Sequence, residues 1–93
     1  MPVYTFNSFD DPVADAGTTQ VLGVNDTDQI VGQYQIGSVN HSFLESGGTY
    51  TTLDDPAGAM GTFASGINDL GQIVGDYLDA DGTRHGFLAT PAP

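Results

Sequence analysis

Twelve carboxylates, two histidines, four tyrosines and one base, Arg84, are the side chains with chemistry to offer in this 93-residue chain. The histidines, His41 and His85, stand in the matching stretches "HSFL" and "HGFL". An imidazole can hold a ligand or a metal, and it changes charge near neutral pH. Its recurrence at one place in two copies of a pattern suits a packing role better. "DADG", residues 79–82, sets Asp79 and Asp81 two positions apart on a turn, where both can point at one calcium ion. The stretch has no downstream bidentate glutamate, and Asp with Gly is ordinary hairpin chemistry. "DDP" occurs at residues 10–12 and again at 54–56. Adjacent acids on extended backbone point to opposite sides, so neither copy makes an acid–base pair by itself.

No stretch has the arrangement of an enzyme. There is no cysteine nucleophile, no Gly-x-Ser-x-Gly elbow and no His-Glu-x-x-His helix. No catalytic residue is assigned and no cofactor is required; calcium is the one ion the acids suggest. The formal net charge of −11 argues against nucleic acid, whose phosphates need Lys and Arg to displace their counterions. It argues equally against anionic membrane surfaces. Solubility, a cationic partner or divalent cations all suit such a charge. No apolar run approaches the ~18 residues of a membrane helix. The start, "MPVYTF", lacks the basic and apolar regions of a signal peptide. With no cysteine, disulfides and thiolate metal sites are excluded.

These residues must be positioned by a repeat. "GVNDTDQIVGQY", residues 23–34, returns as "GINDLGQIVGDY", residues 66–77. Other matches keep an offset of 43 or 44, including Phe9 with Leu53 and His41 with His85. Two units follow, 1–46 and 47–93. Each reads as four short strands: 4–9, 19–25, 29–35 and 39–45 in the first, and 48–53, 62–68, 72–78 and 83–89 in the second. Turn signals separate them, and no helical period is present. Asn25-Asp26 and Asn68-Asp69 open tight turns, the second completed by Gly71. Gly32 and Gly75 lie inside strands, where glycine marks a bulge or a close approach of backbones. Since alternate residues on both faces are partly apolar, tight face-to-face stacking of sheets is the expectation. Four strands in 40–50 residues is the pattern of a propeller blade.

The run "GINDLGQIVGDYLDADGTRHGFL", residues 66–88, with "GTYTTLDDP", residues 48–56, resembles the bacterial extracellular repeat family named HAF. The second unit matches better. The first departs at Asp28, where the turn glycine is expected, and in "QIGSVN", which lacks the "DADGT" turn. The resemblance implies β-propeller blades and an extracellular or cell-surface location in a bacterium. It implies no catalytic residue.

Two blades leave two outer faces bare, whereas propellers close at about 4–8 blades. The expectation is therefore an all-β chain closing into a ring with copies of itself, with a trimer of six blades ahead of a dimer or tetramer. The competing readings are a trimmed or designed piece of a longer array and a small β-sandwich monomer. Function is expected to be non-catalytic binding, lectin-like, at pockets between blades. Tyr34, His41, Tyr77, Arg84 and His85 are the residues expected to contact a carbohydrate. The alternative is a purely structural, self-assembling repeat with no small ligand.

Overall fold

The computed structural model describes residues 3–92, and among these the regular structure is entirely β. Seven strands form: β1 (Gln20–Val24), β2 (Ile30–Ile36), β3 (Val39–Ser46), β4 (Thr49–Leu53), β5 (Gly61–Ile67), β6 (Ile73–Leu78) and β7 (Arg84–Ala89). They make two antiparallel sheets, ordered β1-β2-β3-β4 and β5-β6-β7. Each strand pairs with its neighbour in sequence, so every connection is a hairpin or the single crossing between sheets.

Turn chemistry sets those hairpins. Gly47 and Gly48 join β3 to β4 with φ of 59° and 92°, and a two-residue hairpin with both residues at positive φ matches the natural twist of its strands. Gly37, at φ 63°, opens the equally short β2–β3 turn. Asp28 occupies the place of Gly71 and takes its conformation, with φ 61° against 78°. Aspartate is one of the few L residues that visit this region singly. The missing glycine therefore leaves the turn in place.

The sheets do not follow the sequence units. β4 was expected to open the second unit, yet it pairs with β3 of the first sheet, from Ser42 opposite Leu53 to Ser46 opposite Thr49. Its tight hairpin binds it locally to β3, while seven residues separate it from β5. The second sheet consequently has three strands, not four. Residues 4–9, the sequence equivalent of β4, form no strand. Asn7 and Phe9 line a surface cavity with Val24, Ile30 and Glu45 of the first sheet, but the segment joins no ladder, and an extended segment without ladder bonds has little to offset its ordering entropy.

The sheets stack face to face. Val31, Ala64 and Ile73 form the buried centre, and Leu44, Leu53, Ile67 and Phe87 pack around it. β5 lies over β1, β2 and β3. Fully burying one such aliphatic side chain stabilises by about 1.5–3 kcal/mol. The strand glycines divide into two kinds. A Cβ on Gly23 would lie 3.5 Å from the Gly66 Cα, an ordinary contact, and one on Gly66 would meet only Val74 of its own sheet. Gly32 and Gly75 behave differently from the stacking expectation. A Cβ on Gly32 would strike the Gln20 carbonyl oxygen and the Phe43 ring, and one on Gly75 the Phe63 carbonyl oxygen. Those backbone obstacles belong to the adjacent strand of the same sheet. Both glycines sit beside a register shift, between Val21 and Gly23 and between Ala64 and Gly66. A bulge crowds its partner strand, and only glycine tolerates that.

Candidate functional site

Four of the five residues expected to bind a ligand form two stacks, one on each sheet, and the fifth, Arg84, faces away from both. On the first sheet Tyr34 and His41 are cross-strand partners, with rings stacked at a centroid distance of 5.4 Å. His41 Nδ1 meets the Asp54 carboxylate at 3.0 Å. The Tyr34 hydroxyl bonds Thr52 Oγ1 at 3.0 Å. Tyr34 is buried, and the loss of water pushes its phenol above the ordinary value. Its hydroxyl is committed to β4, so the ring braces the sheet.

The second sheet repeats the stack. Tyr77 and His85 are partners across β6 and β7, with centroids 5.1 Å apart. The histidine's anion differs. His85 Nε2 meets Asp79 Oδ2 at 2.9 Å, using an acid of its own hairpin instead of one beyond a fourth strand. Tyr77 is only half-buried and His85 is exposed. Arg84 lies on the opposite face of the sheet, 3.5 Å from the Asp76 carboxylate and with its guanidinium carbon 5.2 Å from the centre of the Phe63 ring. The Tyr77–His85 stack is thus a flat aromatic surface with one charged group, Asp79, against it.

The acids expected to hold calcium are arranged as a turn. Asp79 Oδ1 accepts from the amides of Asp81 and Thr83, at 2.9 and 3.0 Å. Its other oxygen faces His85. These bonds to the charged form, led by His85, hold the Asp79 carboxyl below its ordinary value. Asp81 meets Asp79 through its amide. Among the described residues no group of three or more metal-ligating side chains comes together.

The Asn-Asp turns join the sheets. Asn25 Oδ1 accepts from the amides of Thr27 and Gln29, at 3.1 and 3.0 Å, closing an Asx turn. Asn68 does the same for Leu70 and Gln72. Asn25 then reaches across, its Nδ2 donating to the Asn68 carbonyl at 3.0 Å. Beside it the Asp26 amide donates to Asp69 Oδ1 at 2.9 Å. The two carboxyls share this corner, and Asp69, by hydrogen bonding and then by like charge, raises Asp26 above its ordinary value.

The polar contacts that matter most between the sheets come from residues without an assigned role. Ser42 is fully buried. Its hydroxyl donates to the Thr62 carbonyl at 2.9 Å and accepts from the Ala64 amide at 2.8 Å. Gln33 Nε2 donates to the Ala64 carbonyl and Asn40 Nδ2 to the Thr62 carbonyl, at 3.1 and 3.0 Å. Three side chains of the first sheet thus satisfy the outer edge of β5, whose groups would otherwise be buried without partners. The signal was present in "HSFL" against "HGFL": the serine replaces a glycine where a neighbouring strand needs a bond.

Beyond β4, a cleft of 270 Å3 opens between the β4–β5 connection and β7, lined by Leu53, Asp54, Thr62, Phe87, Leu88 and Ala89. Among the described residues no helix is long and apolar enough to cross a membrane. No family model, curated protein or solved structure matches the chain.

Proposed function

We propose that the chain is a non-catalytic module that works by assembling head to tail with copies of itself, a trimer of six sheets being the favoured ring. One observation carries this reading. The face of the first sheet that receives β5 has Val31 fully buried, whereas its equivalent on the second sheet, Val74, is 50% exposed. Beside it Leu88 is 59% exposed, where its counterpart Leu44 packs against the core. The strand that would cover this face is equivalent to β5, namely β1, and β1 shows Val21, Leu22 and Val24 to solvent. The two surfaces are complementary and lie on opposite ends of the chain, the condition for a heterologous interface that closes into a ring. Contiguous apolar surface of this kind marks an interaction site. Light scattering tests it: a mass three times that of the chain is expected, and a monomer at all concentrations up to the millimolar range overturns it.

A second reading, carbohydrate recognition, has its own support in the Tyr77–His85 stack with Asp79 against the imidazole. Flat rings next to a charged hydrogen-bonding group suit a sugar, and the argument for the lectin class is by analogy of fold. A glycan array probed with and without calcium decides it; absence of binding under both conditions removes it.

A further inference from the structure

The second sheet lacks a fourth strand, and the chain carries a segment written like one. β7 pairs with β6, and among the described residues its other edge has no partner. An unpaired edge presents a row of amides and carbonyls ready for another strand. In the first sheet the same edge is occupied by β4. β4 has a sequence equivalent, residues 4–9, running into the same Asp-Asp-Pro. That segment forms no strand; Tyr4 is 77% exposed, Phe6 91% and the preceding Val3 90%, while Phe9 is half-buried. A monomer has no reason to keep three such residues together in solvent.

We propose that residues 4–9 of one copy add to the free edge of β7 of the next, completing its second sheet as an antiparallel fourth strand. The partner class is a second copy of this chain, and the proposal rests on the head-to-tail reading above. The register is that of β3 on β4. Ser42 opposite Leu53, Leu44 opposite Thr51 and Glu45 opposite Tyr50 become Gly86 opposite Phe9, Leu88 opposite Asn7 and Ala89 opposite Phe6.

Three features of the acceptor fit these side chains. Tyr50 packs on Phe43 with ring centroids 5.5 Å apart; the equivalents are Phe6 and Phe87, and Phe87 lines the open cleft beside β7. Phe6 fills that cleft. The Tyr34 hydroxyl finds Thr52 on β4; Tyr77 finds Ser8, a hydroxyl at the same place. His41 finds Asp54 just past β4; His85 finds Asp10 and can leave Asp79, which serves it in the isolated chain. Main-chain pairing supplies the affinity and alternate side chains the register, as in other strand additions.

The absence of cysteine makes the test clean, because introduced thiols are the only ones present. Directly opposed residues on antiparallel strands have Cα atoms about 4.5–5.5 Å apart, within disulfide range. Carrying Asn7→Cys and Leu88→Cys together, the oxidised protein is expected to run as covalently linked multiples of the chain on a non-reducing gel. The out-of-register pair Asn7→Cys with Arg84→Cys is expected to stay unlinked. A separate variant, Phe6→Asp, alters a residue exposed in the isolated chain, so its circular dichroism is expected to be unchanged while self-association weakens about tenfold or more. Multiples in light scattering with no in-register disulfide, or with Phe6→Asp associating as tightly as the parent, would overturn strand donation and leave the head-to-tail reading standing. A disulfide formed within a monomer would overturn the second copy as donor. A monomer with no disulfide sinks both.

Discussion

The two sheets carry nearly the same side chains and hold them in different ways. Val31, Tyr34 and Phe43 are buried in the first sheet, and their equivalents Val74, Tyr77 and Phe87 are exposed or half-exposed in the second. Composition does not explain the difference. The first sheet has β5 over its Val31 face and β4 on its edge, whereas the equivalent Val74 face and β7 edge of the second sheet have neither cover. Burial in a repeat protein is therefore a property of position in the stack, because each unit contributes one half of two interfaces. The contrast also separates local from non-local devices. The bulges, the paired glycines and the Asx turns appear in both sheets, since each is built within one hairpin. The Ser42, Gln33 and Asn40 bonds appear only where a neighbouring strand exists to receive them.

The largest test of this contrast is aromatic truncation. Phe43→Ala is expected to destabilise by about 3–5 kcal/mol in urea unfolding. Phe87→Ala is expected to cost clearly less in dilute, unassociated protein, and to approach the same cost as concentration brings copies together. Equal costs in the monomer would erase the distinction drawn between the sheets. Next comes the buried hydroxyl. Ser42→Ala leaves the Thr62 carbonyl and the Ala64 amide without their bridge, at about 1–3 kcal/mol. The reverse change, Gly86→Ser, is expected to leave monomer stability unaltered and to tighten self-association, read by sedimentation. A smaller effect is local: Asp28→Gly relieves an L residue of φ 61° and is expected to stabilise by about 1 kcal/mol, measured by thermal unfolding. A destabilised variant would show that the aspartate side chain contributes more than its backbone costs.

The smallest effect is electrostatic, at the corner where the sheets meet. Asp69 raises the Asp26 carboxyl above its ordinary 3.8. The folded state therefore holds the proton more tightly than the unfolded one. The resulting stabilisation is complete below pH 3.8 and lost as pH rises through the raised folded value. At neutral pH the pair is a residual repulsion, so Asp26→Asn is expected to raise the melting temperature at pH 7, with the gain shrinking towards pH 3. Asp79 has the opposite sign. His85 and two amides lower it from 3.8, so its contribution is present above that pH and lost as pH falls through the lower folded value. Asp79→Asn is expected to lower the melting temperature at pH 7 and to lose that effect in acid.

The sequence by itself determined the local level. Alternation, turn glycines and the Asn-Asp corners located all seven strands within about one residue at each end, because hairpin chemistry lies in contiguous residues. The two-unit repeat was legible from residues 23–34 and 66–77 for the same reason. Only the tertiary structure decided how strands group into sheets. Residues 4–9 and 49–53 are written alike, yet one is a strand and the other is not, since a strand exists only where an edge is free to pair with it. Tertiary structure likewise decided that Gly32 and Gly75 yield to a bulge in their own sheet, while a Cβ on Gly23 would reach the Gly66 Cα across the stack at ordinary contact distance and one on Gly66 would meet Val74. The sequence marks each of these four positions with the same letter; the atom that a Cβ would meet belongs to another part of the chain.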